Sequence, residues 1–400
     1  MRKHVYGMRP PVAEITRVAL AVADAGREPS RGPDEQAMTA SDVFEVLAQP
    51  LRRRSSCSID DTVVSLMDAG ELTLPNLRFV RHLGEGATGS VSLMRIADTD
   101  VVVAVKTMNK ARLTERNKQR RLLMEHAVLT SSQHPFVASL YCTLQTEREV
   151  HFVMEFCPGG TLAEHLVEHG TLRESRVKFL AIEVITALAY LHSMGCTFRD
   201  LKTENVLLTV DGHVRLTDFD LCAMQDGFVP TVRTTRTLQK TASCFLSRSH
   251  ETINHRFCGE PTFRTNSFVG TEEYVAPEII RGGHYGPAVD WWALGILLHE
   301  LAYGVTPFIG YSRKETFDRI VNDEFAPPSD SSTTTDFEDL LGRLLCKDEA
   351  QRLGSDNGAE DIKSHPWFRG VHWALLQSED GDHYRICQNN MERSRLVPSP

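Results

Sequence analysis

The alternation of apolar and polar residues changes near residue 77. Before it, proline, glycine and charged residues interrupt every apolar run, which predicts a mostly flexible extension over residues 1–76 with one helix near residues 41–51. After it, short β-branched runs bounded by turn residues predict strands over residues 79–84, 90–96, 101–106 and 150–156. The first structured part of the chain is therefore expected to be a small β-sheet.

Helical periodicity dominates the remainder of the chain. Residues 117–131 have the spacing of an amphipathic helix, and residues 172–194 predict a longer one. The run from Trp291 to Leu298 is apolar on every side and predicts a buried helix, because a membrane span needs about 20 such residues. Two short apolar runs, at 206–208 and 214–216, flank a turn and predict a hairpin.

The stretch 221–266 shows no strong pattern. It is unusually long for an ordered loop, and it carries more basic than acidic residues in a chain whose net charge is −9. We expect it to be an insert that is either regulatory or disordered. Residues 369–400, which end in Pro-Ser-Pro, are expected to form a loose C-terminal tail.

Composition narrows the class of protein. A chain of 400 residues with 41% hydrophobic and 24% charged residues is typical of a soluble globular protein, and its negative net charge argues against general nucleic-acid binding. The nine cysteines form no C-x-x-C pair, so neither a disulfide framework nor a zinc site is indicated. We expect a monomer in the cytoplasm, which is a reducing compartment. Peripheral contact with a membrane is kept as an alternative.

Four polar residues between 200 and 218 carry the candidate chemistry. Asp200 can accept the proton of a hydroxyl, and Lys202 can neutralise charge on a moving phosphoryl group. Asn205 and Asp218 can hold Mg²⁺ on a nucleotide. Such residues alone are more often part of a solvated loop, so motifs elsewhere in the chain must decide.

A glycine-rich turn and a lysine precede this loop. Gly84, Gly86 and Gly89 would let backbone N–H groups approach a triphosphate, and the strand that follows them disfavours a Rossmann unit, in which a helix follows. Lys106 ends the third strand, where its ammonium can meet the phosphates, and Glu125 is its natural counter-ion. The motifs together indicate phosphoryl transfer from a nucleoside triphosphate.

The strand at 150–156 ends in a break. Residues 157–160, Cys-Pro-Gly-Gly, would form a hinge between two lobes, with adenine bound by backbone groups around Glu155 and Cys157. Met154 would then stand at the back of the nucleotide pocket, although a methionine there could equally be an ordinary core residue.

Residues 77 to about 368 resemble an AGC-group eukaryotic Ser/Thr protein kinase, in particular the plant phototropin kinase domains and the fungal flippase-activating kinases. The motifs that carry the resemblance are the glycine loop, Val103-Ala104-Val105-Lys106, Arg199-Asp200-Leu201-Lys202, Asp218-Phe219-Asp220, Ala276-Pro277-Glu278 and the run from Phe263 to Tyr274. The resemblance implies an α+β, two-lobed kinase fold with a small antiparallel sheet lobe (77–157) and a mainly helical lobe (158–368). It also implies ATP and Mg²⁺ as cofactors and proteins as substrates.

The resemblance assigns roles to individual residues. The implied catalytic residues are Lys106, Glu125, Asp200, Lys202 and Thr271, and the implied metal ligands are Asn205 and Asp218. The implied nucleotide contacts are Leu83, Gly84, Glu85, Gly86, Gly89, Val91, Ala104, Lys106, Met154, Glu155, Cys157 and Leu207. The implied sites for basic substrate side chains are Glu204, Glu273 and Glu300. Ser267 would be an activating phosphosite that pairs with Arg199, and an upstream kinase could modify it.

Several positions depart from the usual pattern. Phe198 replaces a common His at a packing position, and Asp220 replaces the Gly of Asp-Phe-Gly, as in the phototropin-like subgroup. Thr161 stands where AGC kinases often have an acid, which puts strict selection of an upstream arginine in doubt. No Phe-x-x-Phe motif appears in the tail, so docking of such a motif is not expected.

Two other functions are weighed against an active kinase. A pseudokinase acting as a scaffold usually lacks the pairing lysine, the base or a metal ligand, and the sequence contains all of these. A small-molecule phosphotransferase is disfavoured by the protein-substrate features of residues 270–278. Within that segment, Glu278 is expected to form a buried pair with Arg352.

Overall fold

A computed structural model describes residues 43–44, 47, 61–70, 72–86, 89–113, 116–225, 231–239, 250–258, 265, 267, 269–329, 332–373 and 376. They form a small lobe built on a β-sheet and a larger lobe built on helices. This arrangement confirms the predicted two-lobed α+β fold.

Residues 61–70 and 72–76, which fall within the predicted N-terminal extension, include a helix. The helix α1 (Asp61–Asp68) places Val63 and, just beyond the helix, Leu72 in a small core with the sheet residues Ile96 and Val103. Its apolar positions 63, 66 and 67 follow helical spacing, and burial against the sheet stabilises a helix too short to form alone.

A second part of the extension also contacts the small lobe. Val43 and Leu47, which are helical, are buried in the main core, and Phe44 is partly buried against it. They fall within the helix predicted near residues 41–51, and the other residues of that prediction lie outside the described part of the chain.

Five antiparallel strands form the sheet of the small lobe in the order β1-β2-β3-β5-β4. Their bounds are Leu77–Glu85 (β1), Ser90–Ile96 (β2), Val102–Asn109 (β3), Leu140–Gln145 (β4) and Glu149–Met154 (β5). The period-two alternation of β5 divides it between two cores, with Val150, Phe152 and Met154 in the main core and Val153 in the small one. β5 is therefore covered on both faces of the sheet.

The helix α2 (Arg116–Ser131) contributes Leu122, Leu123 and Val128 to the main core. Its bounds agree closely with the prediction, as do those of four of the five strands. The sequence pattern does not predict β4, because a bulge between Leu140 and Cys142 disturbs the alternation by which strands are identified.

The large lobe is built mainly from helices around one buried helix. Its helices are α3 (Leu162–His169), α4 (Glu174–Ser193), α5 (Pro277–Ile280), α6 (Ala288–Tyr303), α7 (Arg313–Asn322), α8 (Thr335–Leu344) and α9 (Ala359–Lys363). Trp291 and Trp292 on α6 are fully buried, which confirms the buried helix expected from its all-apolar pattern. No helix among the described residues has the length and apolar character of a membrane span.

Short strands and single helical turns position the loops of the large lobe. The strands are β6 (Cys196–Thr197), β7 (Val206–Leu208), β8 (Val214–Leu216) and β9 (Ala223–Met224). β6 pairs with β9, and β7 pairs with β8 as the predicted hairpin. Turns of 3₁₀ helix occur in this lobe at Thr203–Asn205, Glu272–Tyr274, Glu349–Gln351 and Pro366–Phe368, and in the small lobe at Leu74–Asn76 and Lys110–Leu113.

The stretch 221–266 contains a hairpin that the sequence pattern does not reveal. The strands β10 (Thr231–Gln239) and β11 (His250–Cys258) pair antiparallel along their whole length. Most of the remaining insert, and most of the predicted tail, lie outside the described residues. The described beginning of the tail is packed, since Trp373 contacts the ring of Phe368 edge to face at 5.3 Å.

Candidate active site

A buried carboxylate at the start of α6 holds the loop that carries Asp200. Asp290 accepts the N–H groups of Phe198 and Arg199 at 2.8 and 2.7 Å, and it contacts Nε2 of His192 at 2.7 Å. Arg199 has a φ of 67°, a left-handed conformation that is unfavourable for a residue with a side chain. The hydrogen bonds to Asp290 offset this cost and fix the direction in which the chain continues to Asp200.

Asp200 lies in a network of four side chains. Its Oδ2 accepts from Nζ of Lys202 at 2.9 Å and from Nδ2 of Asn205 at 2.8 Å. The hydroxyl of Thr271 donates to Oδ1 at 3.2 Å and accepts from Lys202 at 2.9 Å. The fold thus brings together four predicted site residues, and the carboxylate is held in one orientation as a hydrogen-bond acceptor.

Lys106 lies between two carboxylates. Its Nζ is 2.6 Å from Oε1 of Glu125 on α2 and 3.1 Å from Oδ1 of Asp218. Burial disfavours the ammonium form, but the two carboxylates outweigh burial and raise the pKa of Lys106. Burial also raises the pKa of Glu125, to about 7, despite the opposing effect of Lys106. The lysine therefore remains a fixed positive charge in the cleft.

Asp218 has the geometry of an accessible ligand. Its φ is 63°, and 40% of its side chain is exposed, whereas the next residue, Phe219, is fully buried against Phe198 with ring centroids 5.3 Å apart. Asn205 donates from Nδ2 to both the backbone oxygen and the carboxylate of Asp200 at 2.8 Å, which leaves its Oδ1 as the atom available to a cation. A carboxylate and an amide oxygen fit the hard-oxygen preference of Mg²⁺.

The glycine loop joins β1 and β2. The N–H of Gly86 donates to the backbone oxygen of Gly89 at 2.7 Å, which closes the turn. A Cβ on Gly89 would lie 2.1 Å from the backbone oxygen of Thr107, so only glycine fits there. Register places Gly84 opposite Val91, and Val91 opposite Lys106. Leu83 and Glu85 lie on the same strand, β1, so this group of predicted nucleotide residues converges beside the lysine.

The remaining predicted nucleotide residues border the hinge. Ala104 lies opposite Met154 in the β3–β5 register, and Glu155 and Cys157 follow directly. The N–H of Gly159 donates to the backbone oxygen of Leu208 at 3.0 Å, which ties β7, and with it Leu207, to the hinge. The cleft between the lobes therefore has predicted nucleotide contacts from both lobes.

Comparison with known proteins decides the family. Residues 77–368 match the family described as "Protein kinase domain". The chain belongs to the protein kinase family.

Individual relatives of this kinase confirm the resemblance to AGC-group Ser/Thr kinases. The chain is 40% identical over 345 residues to Phototropin-1A of Oryza sativa subsp. japonica, covering 84% of this chain and 36% of the relative. It is 40% identical over 327 residues to Flippase kinase 1 of Saccharomyces cerevisiae, covering 78% and 35%. It is 36% identical over 390 residues to the Serine/threonine-protein kinase nrc-2 of Neurospora crassa, covering 93% and 61%. The chain thus spans about a third of the length of the first two relatives.

Arg199 links the catalytic loop of this kinase to Ser267. Its Nη1 donates to Oγ of Ser267 at 2.9 Å, and its Nε donates to the backbone oxygen of Leu221 at 2.6 Å. Tyr285 also contacts the serine, donating to its backbone oxygen at 2.6 Å. Arg199 and Ser267, which the sequence analysis pairs, are therefore in contact while the exposed hydroxyl of Ser267 is unmodified.

Asp220, which replaces the usual glycine, is almost fully buried. Its carboxylate lies 3.9 Å from Nη1 of Arg121 on α2. Burial, with the neighbouring charge of Asp218, raises the pKa of Asp220 to about 6. This kinase therefore has a third carboxylate near Lys106, and it faces the helix that carries Glu125.

The three acids assigned to substrate binding differ in availability. Glu204 is exposed and has a long contact with Thr203 at 3.3 Å. Glu300 accepts a short hydrogen bond from Tyr274, and burial raises the pKa of Glu300. Glu273 accepts from the hydroxyl of a loop residue, Thr306, at 2.5 Å. Glu204 is thus the acid that internal contacts engage least among the three.

Sequence reasoning missed two residues that shape the site. Asp290 directly precedes the apolar run that begins at Trp291, and a carboxylate beside so many apolar residues is a signal of a buried role. Arg215 on β8 donates from Nε to the carboxylate of the hinge residue Glu155 at 2.9 Å, and no local pattern indicates this contact.

The predicted pair of Glu278 and Arg352 is present, with two hydrogen bonds of 2.7 and 2.8 Å.

Proposed function

We propose that the chain is an ATP-dependent Ser/Thr protein kinase that transfers the γ-phosphoryl group of ATP to hydroxyls of protein substrates. The observation that carries the proposal is the contact set around Asp200, with Lys202, Asn205 and Thr271 all within hydrogen-bond distance of one another or of the carboxylate. Family membership supports the same reaction class.

Each side chain has a role that its contacts support. Asp200 orients the substrate hydroxyl and accepts its proton, since its carboxylate is fixed by three donors. Lys202 and Thr271 lie beside it, where the ammonium neutralises charge on the transferred group. Lys106, held by Glu125, binds the nucleotide phosphates. Asn205 and Asp218 would hold Mg²⁺, which neutralises phosphate charge when bound.

Residues along the cleft are proposed to contact the adenine and ribose of the nucleotide. The backbone of Glu155 and Cys157 binds the adenine edge, Met154 closes the back of the pocket, and Ala104 and Leu207 cover the ring from the two lobes. This assignment is supported by the register of Ala104 with Met154 and by the hinge contact to β7.

Regulation and selectivity complete the proposal. Phosphorylation of Ser267, by an upstream kinase or by the chain itself, strengthens its contact with Arg199 and thereby stabilises the catalytic loop.

Substrates with basic residues before the acceptor are favoured by Glu204, with smaller contributions from Glu273 and Glu300. We infer a cytoplasmic monomer, and the scattered cysteines without a C-x-x-C pair support the reducing compartment.

The direct test is incubation of the purified chain with labelled ATP and a generic basic protein. The unmodified chain is expected to label the protein on Ser or Thr, and Asp200→Asn is expected to lose the transfer while still binding nucleotide. Nucleotide binding without transfer by the unmodified chain would instead identify a pseudokinase scaffold.

A further inference from the structure

Asp220 is a buried carboxylate at a position where the usual motif has a glycine. Only 9% of the residue is exposed. Burial, together with the neighbouring charge of Asp218, raises the pKa of its carboxyl to about 6, which means that the fold disfavours the ionised form. A charged group that is retained at such a cost is a candidate for a functional role.

The backbone around Asp220 is anchored on both sides, so the direction of the carboxylate is fixed. Before it, Asp218 is held by its ion pair with the lysine of the cleft. After it, Arg199 donates from Nε to the backbone oxygen of Leu221 at 2.6 Å and from Nη2 to that of Cys222 at 3.2 Å. Asp220 is not among the described residues with a positive φ, so the backbone at this position does not require a glycine.

Helix α2 meets charged partners at two points that lie one turn apart. Nη1 of Arg121 is 3.9 Å from the carboxylate of Asp220, and Glu125 pairs with Lys106. Arg121 and Glu125 are four positions apart, so both side chains lie on the same face of the helix. A single contact would let the helix turn about it, whereas two contacts on one face also restrict that rotation. The contact of Arg121 joins the helix to the large lobe.

We propose that Asp220 is a positioning residue that, through Arg121, fixes helix α2 against the large lobe and thereby keeps Glu125 paired with Lys106. The inference rests on the proposed kinase function, since it states how the lysine that binds the nucleotide phosphates is held. A glycine in place of Asp220 has no group that can reach the helix. The positive charge of Arg121 also offsets part of the cost of burying the carboxylate.

The test measures nucleotide binding to the full chain by calorimetry, with ADP and Mg²⁺ and separately with adenosine. Asp220→Asn and Arg121→Gln are each expected to weaken ADP binding about threefold, which is the usual size for an ion pair with one partly exposed partner. Adenosine binding should not change, because adenosine has no phosphate for Lys106 to bind. The double variant should bind ADP no more weakly than either single variant, since both substitutions remove the same contact.

The two variants separate positioning from a direct effect of charge on the nucleotide. Charge alone would make Asp220→Asn bind ADP more tightly and Arg121→Gln bind it more weakly, whereas loss of the pair weakens binding in both. Hydrogen exchange of the backbone amides of α2, followed by mass spectrometry, should be faster in both variants. Arg121→Lys keeps the charge and should restore slow exchange and ADP binding. Arg120→Gln is the matched control, because Arg120 is an exposed arginine of the same helix, and it should change neither measurement.

Opposite changes of ADP affinity in Asp220→Asn and Arg121→Gln would overturn the proposal, as would unchanged exchange in α2. Equal losses of ADP and adenosine binding, or a lower midpoint of thermal unfolding in Asp220→Asn, would also overturn it, because they would show that the pair only supports the fold. Absence of phosphoryl transfer by the unmodified chain would contradict the proposed function instead, and the binding and exchange measurements would still decide the role of Asp220.

Discussion

At the scale of single residues, the side chains that bind phosphate and metal can be distinguished from the side chains that support the fold. Lys106→Met and Asp218→Asn are expected to abolish phosphoryl transfer, because each removes a charge that the nucleotide needs. The fold should persist in Lys106→Met, since the pKa of Glu125 is already raised by burial and the carboxyl can take up a proton once its partner is lost. Phosphate transfer and circular dichroism measure the two effects, and near-normal turnover in either folded variant would contradict the kinase assignment.

The contact between Arg215 and Glu155 gives a prediction at the same scale. Arg215→Met leaves the hinge carboxylate without its guanidinium partner in a site where both side chains are 11% exposed. The hinge should shift, so we expect the KM for ATP to rise about fivefold with a smaller change in kcat. Calorimetry with adenosine, which has no phosphates, should show the same loss of affinity.

The double variant with Glu155→Gln provides the control for Arg215→Met. A neutral amide does not require a cationic partner, so the double variant should bind adenosine better than Arg215→Met alone. If the two substitutions acted independently, the hinge pair would have no role in nucleotide binding.

At the scale of elements, the segment that contains Ser267 couples to the catalytic loop. Ser267→Ala is expected to lower kcat/KM about tenfold once the unmodified chain is phosphorylated, because a phosphate at this position forms a stronger, charge-assisted contact with Arg199. Thr265→Ala is the matched control, since its hydroxyl lies 3.2 Å from that of Ser267 but does not contact Arg199 among the described hydrogen bonds. Full activity of Ser267→Ala, in a preparation that mass spectrometry shows to be otherwise unphosphorylated, would exclude this role.

Val43, Phe44 and Leu47 lie outside the kinase domain match at 77–368, yet they are packed against the main core. Phe44 accepts a hydrogen bond from Gln145 through its backbone oxygen at 3.0 Å, and Nζ of Lys110 lies 4.5 Å from the centre of its ring. Leu47→Ala should therefore reduce the free energy of unfolding by about 2–5 kcal/mol, the usual cost of a cavity at a fully buried leucine. Urea unfolding measures it, and a value near zero would mean that the segment does not stabilise the small lobe.

At the scale of the whole molecule, buried histidines make stability depend on pH. Burial lowers the pKa of His126 to about 4, and neither ring nitrogen has a hydrogen-bond partner among the described residues. Below pH 6.5 the unfolded chain binds a proton at this residue and the folded chain does not, so its contribution to stability falls until about pH 4, by a total on the order of 3 kcal/mol.

Glu125 has the opposite effect on the pH dependence of stability, because its raised pKa makes the folded chain bind a proton that the unfolded chain does not bind. A comparison of His126 variants with the unmodified chain isolates the contribution of His126. The stability of His126→Gln relative to the unmodified chain should therefore increase as the pH falls from 6.5 to 4, as measured by urea unfolding at each pH. His284→Gln is the control because His284 is exposed. A difference between the unmodified chain and His126→Gln that does not vary with pH would show that His126 is not held neutral in the folded state.

The sequence by itself determined several of the helices and strands and most of the candidate chemistry. Local patterns suffice for this, because the period of apolar residues reports which face of a strand or helix is buried, and the glycine loop, Lys106 and Asp200 lie in motifs whose order along the chain is itself informative. The buried helix α6 could be predicted for the same reason.

Only the tertiary structure decided which groups outside the recognised motifs meet. Asp290 holds Arg199 in the catalytic loop from 91 positions away, Arg215 on β8 contacts the hinge residue Glu155, and Thr306 between α6 and α7 contacts Glu273. The packing of α1 and of Leu47 on the small lobe could likewise not be predicted from the sequence pattern, because a short helix is stable only against a partner surface. Contacts between residues far apart in the chain depend on how elements pack, and hydrophobic periodicity records that an element is buried without recording what it is buried against.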